Sequence, residues 1–392
     1  MPGSQWSDRL SISGKARWPR GQAADHGLDP GTDKPELRRR VLLWLDLQRK
    51  FYLEPSRATR WLLKAGGDPA AVLARLNGQG PSLESPDGLA ACRHLSEMGA
   101  WVLSQDGSGY PSALRTIPDP PPVLLGRGCC EPLNRPAVAI VGARAATQYG
   151  LNIAVQLGEG LARAGFVVIS GLARGIDAAA HRGALKAGGP TVAVMACGPD
   201  EVYPPEHADL LAEILENGTS ITEFPLGEKP LPFHFPLRNR LISGLSQAVI
   251  VVEARPRSGS LITARHALDQ GREVLAVPGP ITTPLSQGPN ALIRDGAHPL
   301  LEIRDALEVL GCDSGQMDLL PEQSKAPGLS LDPRAKVLLE LILETPGTPE
   351  ELAERMACTT REVAMLLLSL EIDQRAVVDR DGRARAVLRT SS

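Results

Sequence analysis

Apolar positions in the first part of the chain recur at helical spacing. From Glu36 to about Asn77 the sequence places Leu42, Leu43, Leu45 and Leu47, then Ala58, Trp61, Leu62 and Leu63, then Ala71, Val72 and Leu76, as short amphipathic helices do. A small helical module, of sterile-alpha-motif or helix-hairpin-helix type, is predicted over residues 36–90. The segment Phe51 to Ser56 lacks the glycines of a DNA-binding hairpin, which favours core packing or a partner contact. Gly107 to Gly128, with Pro118, Pro120, Pro121 and Pro122 close together, reads as a connector and not as a helix or central strand.

Beyond Arg135 the pattern changes to short, unalternating apolar runs: Val138 to Val141, Phe166 to Ile169, Val192 to Met195, Ser220 to Glu223, Ala248 to Val252 and Glu273 to Val277. Strands buried on both faces have this character, and stretches of crossover length separate most of them. The expectation is an α/β, doubly wound, Rossmann-like parallel sheet within residues 91–310. A linker follows over 311–331. In residues 332–392, helical stretches Arg334 to Glu344, Pro349 to Met356 and Thr360 to about Asp373 precede a hairpin signal at Asp381-Gly382, which together predict a winged helix.

Composition narrows the class. At 392 residues, with 43% hydrophobic and 22% charged residues, the chain is expected to be soluble, with no apolar run near the roughly 18 residues of a membrane span. Residues 1–35, which carry Arg9, Lys15, Arg17 and Arg20 but lack the apolar stretch of a secretory signal, are expected to be a flexible tail. The six cysteines show neither C-x-x-C pairs nor histidines at zinc spacing, so reduced thiols in the cytoplasm and no metal are expected. A net charge of -3 excludes a protein that coats nucleic acid through bulk charge. Any polyanion site is local, and Pro225 to Val274 holds seven basic against four acidic side chains.

The candidate chemistry lies in loops expected at the carboxyl ends of the strands, where helix N-termini attract anions. Gly142-Ala143-Arg144 follows the first strand of the α/β region: the glycine admits a phosphate to the backbone and Arg144 clamps it, or this is a plain turn with a solvated arginine. The loop is not G-x-G-x-x-G, Ser170-Gly171 lacks a ribose-binding acid, and no G-x-x-x-x-G-K-[ST] occurs, so a nicotinamide dehydrogenase and a phosphate-loop ATPase are disfavoured. Asp177 and His181, one turn apart, are either a catalytic or metal-binding pair or, by the more usual role, braces of a helix. In Phe233 to Arg240, aromatics lead into Arg238-Asn239-Arg240. Either bases stack on the rings while the arginines meet phosphates, or the rings are core and the arginines form ion pairs. Ser258-Gly259-Ser260, with Thr263 beyond, suits phosphate oxygens and equally an ordinary helix cap.

Taken in order, Gly142-x-Arg144, Ser170-Gly171-x-Ala173-Arg174-Gly175-Ile176-Asp177 with His181, Tyr203-Pro204, Phe235-Pro236-x-Arg238-Asn239-Arg240, Ser258-Gly259-Ser260-Leu261-x-Thr263-Ala264, Pro278-Gly279 and Gly288-x-Asn290 resemble the DNA processing protein A (DprA/Smf) family. The resemblance covers roughly Ala91 to Leu310, and the flanking modules fit it more loosely. It implies a non-enzymatic protein without cofactor that binds and protects incoming single-stranded DNA and loads RecA recombinase during natural transformation. It further implies a homodimer formed through the later part of the α/β unit, here the apolar face of Leu292 to Leu310. The implied DNA contacts are Arg144, Gly171, Arg174, Phe235, Arg238, Arg240, Ser258 and Gly259, and Gly142, Ser170, Asn239, Ser260 and Thr263 complete the expected DNA-binding set. Glu362, Glu371 and Asp373 against Arg361 on the expected recognition helix disfavour major-groove binding. The alternative is a nucleotide phosphoribohydrolase of the lysine decarboxylase-like family, but aligning that family's P-G-G-x-G-T-x-x-E motif on Thr263 puts His266 where its catalytic glutamate belongs.

Overall fold

A computed structural model describes residues 28–77, 86–312, 333–372, 376–379 and 382–386. Most of the expected tail and linker lies outside them. The chain divides into two compact units, Met1–Ser314 and Gly315–Ser392.

In the first unit, α1 (Pro35–Phe51), α2 (Pro55–Lys64), α3 (Pro69–Asn77) and α4 (Pro86–Glu97) precede β1 (Ala100–Ser104), α5 (Ser112–Arg115) and β2 (Val123–Gly128). The crossover units then run β3 (Ala137–Val141), α6 (Gln148–Arg163), β4 (Val167–Ser170), α7 (Ile176–Lys186), β5 (Thr191–Val194), α8 (Ala208–Asn217), β6 (Thr219–Thr222), α9 (His234–Gly244), β7 (Ala248–Val251), α10 (Gly259–Asp269), β8 (Glu273–Ala276), α11 (Gln287–Arg294), β9 (His298–Pro299) and α12 (Ile303–Val309). All six predicted apolar runs are strands, placed within one residue of expectation, and nearly every position is buried because helices cover both faces.

The nine strands lie in the order β1-β2-β6-β5-β4-β3-β7-β8-β9, with β1, β2 and β6 paired antiparallel and the rest parallel. From β3 the connections run one way to β4 and β5 and the other way to β7 and β8. The switch between β3 and β7 is where a doubly wound sheet opens a crevice at its carboxyl edge.

The connector expectation fails at Val123–Gly128, which is an interior strand. Its prolines stop at Pro122, and Gly126 is required there because a Cβ would overlap the Trp101 ring of β1. The helical module is not set apart from the sheet. Val41, Trp44, Leu47, Ala58 and Leu73 share one core with Val102, Val123 and Leu125.

In the second unit, α13 (Pro333–Glu344), α14 (Pro349–Arg355) and α15 (Thr360–Ile372) precede a hairpin of β10 (Ala376–Val378) and β11 (Ala384–Ala386), a winged-helix arrangement. Leu338, Ile342, Leu352, Val363, Leu367 and Leu370 form its core. Met365 and Leu368 stay exposed on α15, and Glu362 pairs with Arg334.

Candidate nucleic-acid interface

The crevice at the β3/β7 switch is filled by the chain itself. Glu253, buried at the end of β7, accepts hydrogen bonds from the Thr147 amide (2.9 Å) and hydroxyl (2.5 Å), and the same hydroxyl caps α6 by accepting from the Gly150 amide (3.0 Å). A carboxylate therefore occupies the positive end of α6, where a dinucleotide would set its pyrophosphate. Gly150 makes this possible, since a Cβ there would lie 2.5 Å from that carboxylate. Gly142 is part of the same closure: its missing Cβ faces Ile176 at 2.6 Å, not a ligand. Its expected role in admitting a phosphate gives way to close packing of this loop on α7.

The next loop is folded just as tightly. Gly175 starts α7 at φ +76°, against the Ala143 and Arg144 carbonyls, where a side chain would be strained and would collide. Asp177 accepts from the Gly171 amide at 3.1 Å, and burial raises its pKa against the opposing pull of Arg238. His181 Nδ1 meets Thr191 Oγ1 at 2.7 Å, and that hydroxyl donates to the Val168 carbonyl, so the imidazole carries its proton on Nδ1. Nε2 is buried without a partner, and the pKa falls to about 3, chiefly through burial. Each residue braces α7 separately, as the helix-bracing reading requires. Ser170 is wholly buried and donates to the Ile140 carbonyl at 2.6 Å, out of reach of a ligand.

The Phe233 to Arg240 segment divides. Arg238 is buried, donating to the carbonyls of Gly171 (3.0 Å) and Val194, and burial lowers its pKa to about 10 with Asp177 opposing the fall. Gly171 is glycine because a Cβ would meet this guanidinium at 2.6 Å. Arg240 is 1% exposed and pairs through both terminal guanidinium nitrogens with Glu223 (3.0 and 2.6 Å) while its Nε meets Asp119 at 2.9 Å. Neither arginine faces solvent. Their expected phosphate contacts are replaced by structural bonds, because α9 is buried from Arg238 onward. Asn239 bridges inward as well, accepting from Arg238 and donating to the Gly259 carbonyl at 3.1 Å, so it positions the serine loop. Thr263 is buried inside α10, and Ser260 is buried with its hydroxyl 2.6 Å from that of Ser258.

What reaches the surface is a smaller set. Phe235, at the start of α9, is half-buried, with the exposed Arg144 guanidinium 4.7 Å from its ring centre and the Tyr203 ring edge-on at 5.5 Å. Beside them the exposed Arg174 pairs with Glu206, and both Glu206 and Tyr203 raise its pKa. Ser258 caps α10 and leaves Gly259 exposed with open space where a Cβ would go. Among the described residues, no group of three or more His, Cys, Asp or Glu is placed to hold a metal, and no helix is long and apolar enough to cross a membrane.

The family profile described as DNA recombination-mediator protein A matches residues 101–311, and that of the DprA winged helix domain matches residues 322–382. The chain is 42% identical over 276 residues to Protein Smf of Escherichia coli (strain K12), covering 69% of this chain and 73% of that protein. The chain belongs to the DprA/Smf family. DNA processing protein DprA of Bacillus subtilis (strain 168) is 42% identical over 226 residues, spanning 57% of this chain and 75% of its own length. The X-ray structure of DNA processing protein A from Streptococcus pneumoniae aligns with a TM-score of 0.53 at 39% identity, covering 57% of this chain and 82% of that one. The accessible side chains of this DprA/Smf chain are set by its own packing.

Of the thirteen expected contacts, Arg144, Arg174 and Gly259 are exposed and Gly142, Phe235 and Ser258 are partly exposed. Tyr203 belongs beside them but was absent from the expected set. The Tyr203-Pro204 pair was visible in the sequence, yet nothing in a linear string places it against a ring 32 positions away. Arg255 and Arg257, exposed in the loop entering α10, add cationic side chains.

Proposed function

We propose that this DprA/Smf protein binds single-stranded DNA along the loops at the carboxyl ends of β3, β4, β5 and β7, protecting incoming DNA and passing it to RecA recombinase during natural transformation. It does so as a cytoplasmic homodimer, without catalysis and without a cofactor. The observation that carries the DNA reading is the half-open Phe235 ring between Arg144 and Tyr203: a π-face for an unpaired base beside cations for its phosphates. A duplex hides its base faces, so this arrangement favours a single strand. The names of the DprA relatives support a role in DNA processing. RecA loading and the transformation setting rest on the family resemblance. The dimer rests on the family resemblance; of its expected face, Leu292 to Leu310, Leu301 is exposed, whereas Leu300, Ala306 and Leu307 are buried in the unit's own core.

Glu223, Glu253 and Asp177, the buried carboxylates around the strand ends, are each held by Arg240, Thr147 or Gly171. That argues against the phosphoribohydrolase alternative, as does His266 at its glutamate position. The test is fluorescence anisotropy with labelled oligothymidylate and a matched duplex over a salt series, with a parallel assay for base released from nucleoside monophosphates. The expectation is tighter single-strand binding that falls steeply with salt, and a loss of about tenfold or more in Phe235→Ala, from roughly 1–3 kcal/mol per stacked base. Equal affinity for duplex, or release of free base, overturns the reading.

A further inference from the structure

The helical module gathers basic side chains in one stretch, of which Arg60 also donates to the Ser56 carbonyl at 3.4 Å. From the end of α1 through α2, Arg49, Lys50, Arg57, Arg60 and Lys64 stand against one acidic residue, Glu54, in a chain of net charge -3. Arg57, Arg60 and Lys64, at i, i+3 and i+7, fall along one exposed face of α2. Cations at a helix C-terminus complement its dipole, which suits Arg49 and Lys64. Arg57 sits in the first turn of α2, where the dipole opposes it, Arg60 lies past the middle of the helix, and the helix has no acid in its first turn. Glu54 offsets one of these charges, through its ion pair with Arg57 at 2.7 Å.

Contacts through the buried rings of Phe51 and His234 tie the start of α2 to the segment that precedes Phe235. Phe233, two residues before Phe235, is 54% exposed and meets His234 edge-on at 4.5 Å. His234 meets Tyr52 at 6.4 Å, and the Tyr52 hydroxyl donates to Glu228 on the loop leading to α9. Tyr52 directly follows Phe51, over whose ring the Arg57 guanidinium lies at 5.8 Å. Gln48, one residue before Arg49, donates to the Glu223 carbonyl at 2.8 Å, which holds α1 on the sheet.

We propose that Arg57, Arg60 and Lys64, with Arg49, form a second phosphate-binding row that receives the same single strand after it leaves Phe235, with the exposed Phe233 as a stacking platform between. Resting on the proposed DNA site, the inference gives that site a direction and a length: the strand runs from the α/β loops onto the helical module. The test compares the full chain with Arg57→Ala/Arg60→Ala/Lys64→Ala and with Arg144→Ala, using labelled oligothymidylates of about 6 and about 30 nucleotides. Circular dichroism checks the fold of each variant. The triple variant is expected to keep short-oligomer affinity within about twofold, to lose about tenfold or more on the long one, and to lower the salt slope on the long one by about 2, at roughly 0.7 per phosphate contact. Arg144→Ala is expected to weaken both. Unchanged long-oligomer affinity and slope in the triple variant, or equal losses on both lengths, overturn the second row and leave the first site standing. No binding of either length by the unaltered chain overturns both.

Discussion

At the residue scale, the two arginines that look most like DNA contacts in the sequence show how burial reassigns a charge. Arg240 meets Glu223 and Asp119, which lie 17 and 121 positions away, and no local pattern announces either partner. A guanidinium placed this deep is tolerated because two carboxylates satisfy it, and removing one member of such a pair strands the other. Arg240→Ala is therefore expected to cost about 3–5 kcal/mol in folding stability, read as a lowered midpoint in urea. Any loss of DNA binding in that variant should track the unfolded fraction, whereas Phe235→Ala should lose binding while keeping its midpoint. A variant with normal stability and weakened binding would return Arg240 to the interface. Arg144 and Phe235 stay accessible, as candidate contacts must, because they meet each other, Tyr203 and solvent. A ring flanked by an arginine needs no distant carboxylate to explain it.

At the element scale, the parallel strands could be read because helices cover both faces and make each run almost wholly apolar. Three strands escaped for different physical reasons. β2 ends in Gly126, Arg127 and Gly128, residues of low strand preference, and is held in place by the Trp101 ring across the pair. β1 is visible only as the partner of β2, and β9, at the sheet edge, is two residues long and includes a proline. The glycines of the loops were legible as special positions, but their purpose was not: Gly142, Gly150 and Gly171 make room for protein atoms, and Gly259 alone among these four faces open space. The two types separate on mutation. Gly171→Ala forces a methyl into the Arg238 guanidinium and is expected to destabilise the first unit by about 1–3 kcal/mol. Gly259→Ala, at the first turn of α10, is expected to leave stability within about 1 kcal/mol while weakening oligonucleotide binding, since the methyl covers amides that would face a phosphate. Thermal unfolding and anisotropy on both variants decide it, and a Gly259→Ala variant with unaltered affinity removes that helix end from the site.

At the scale of the whole molecule, the near-neutral net charge conceals a first unit that buries ionisable groups of both kinds, and their effects on stability against pH have opposite signs. His181 titrates near 3 in the folded state against about 6.5 unfolded, so its contribution is complete above pH 6.5 and is lost as pH falls toward 3, the unfolded chain taking up the proton first. Glu223 titrates near 7 against 4.5, because burial outweighs Arg240, so the folded state holds the extra proton. Its contribution is complete below pH 4.5 and is lost as pH rises to 7. Between pH 4.5 and 6.5 the two oppose each other at about 1.4 kcal/mol per pH unit each and nearly cancel. Asp177, also raised by burial, acts in the same sense as Glu223 and is common to any pair of variants at the other two sites. His181→Gln should therefore make urea stability rise as pH falls from 6.5 to 4.5, and Glu223→Gln should make it fall, with the unaltered chain between them. Parallel pH profiles in the two variants would show that these groups do not titrate in opposition. The crossing slopes also discriminate where absolute stabilities cannot, because both substitutions disturb packing and only the sign of the pH dependence reports which proton each buried group holds.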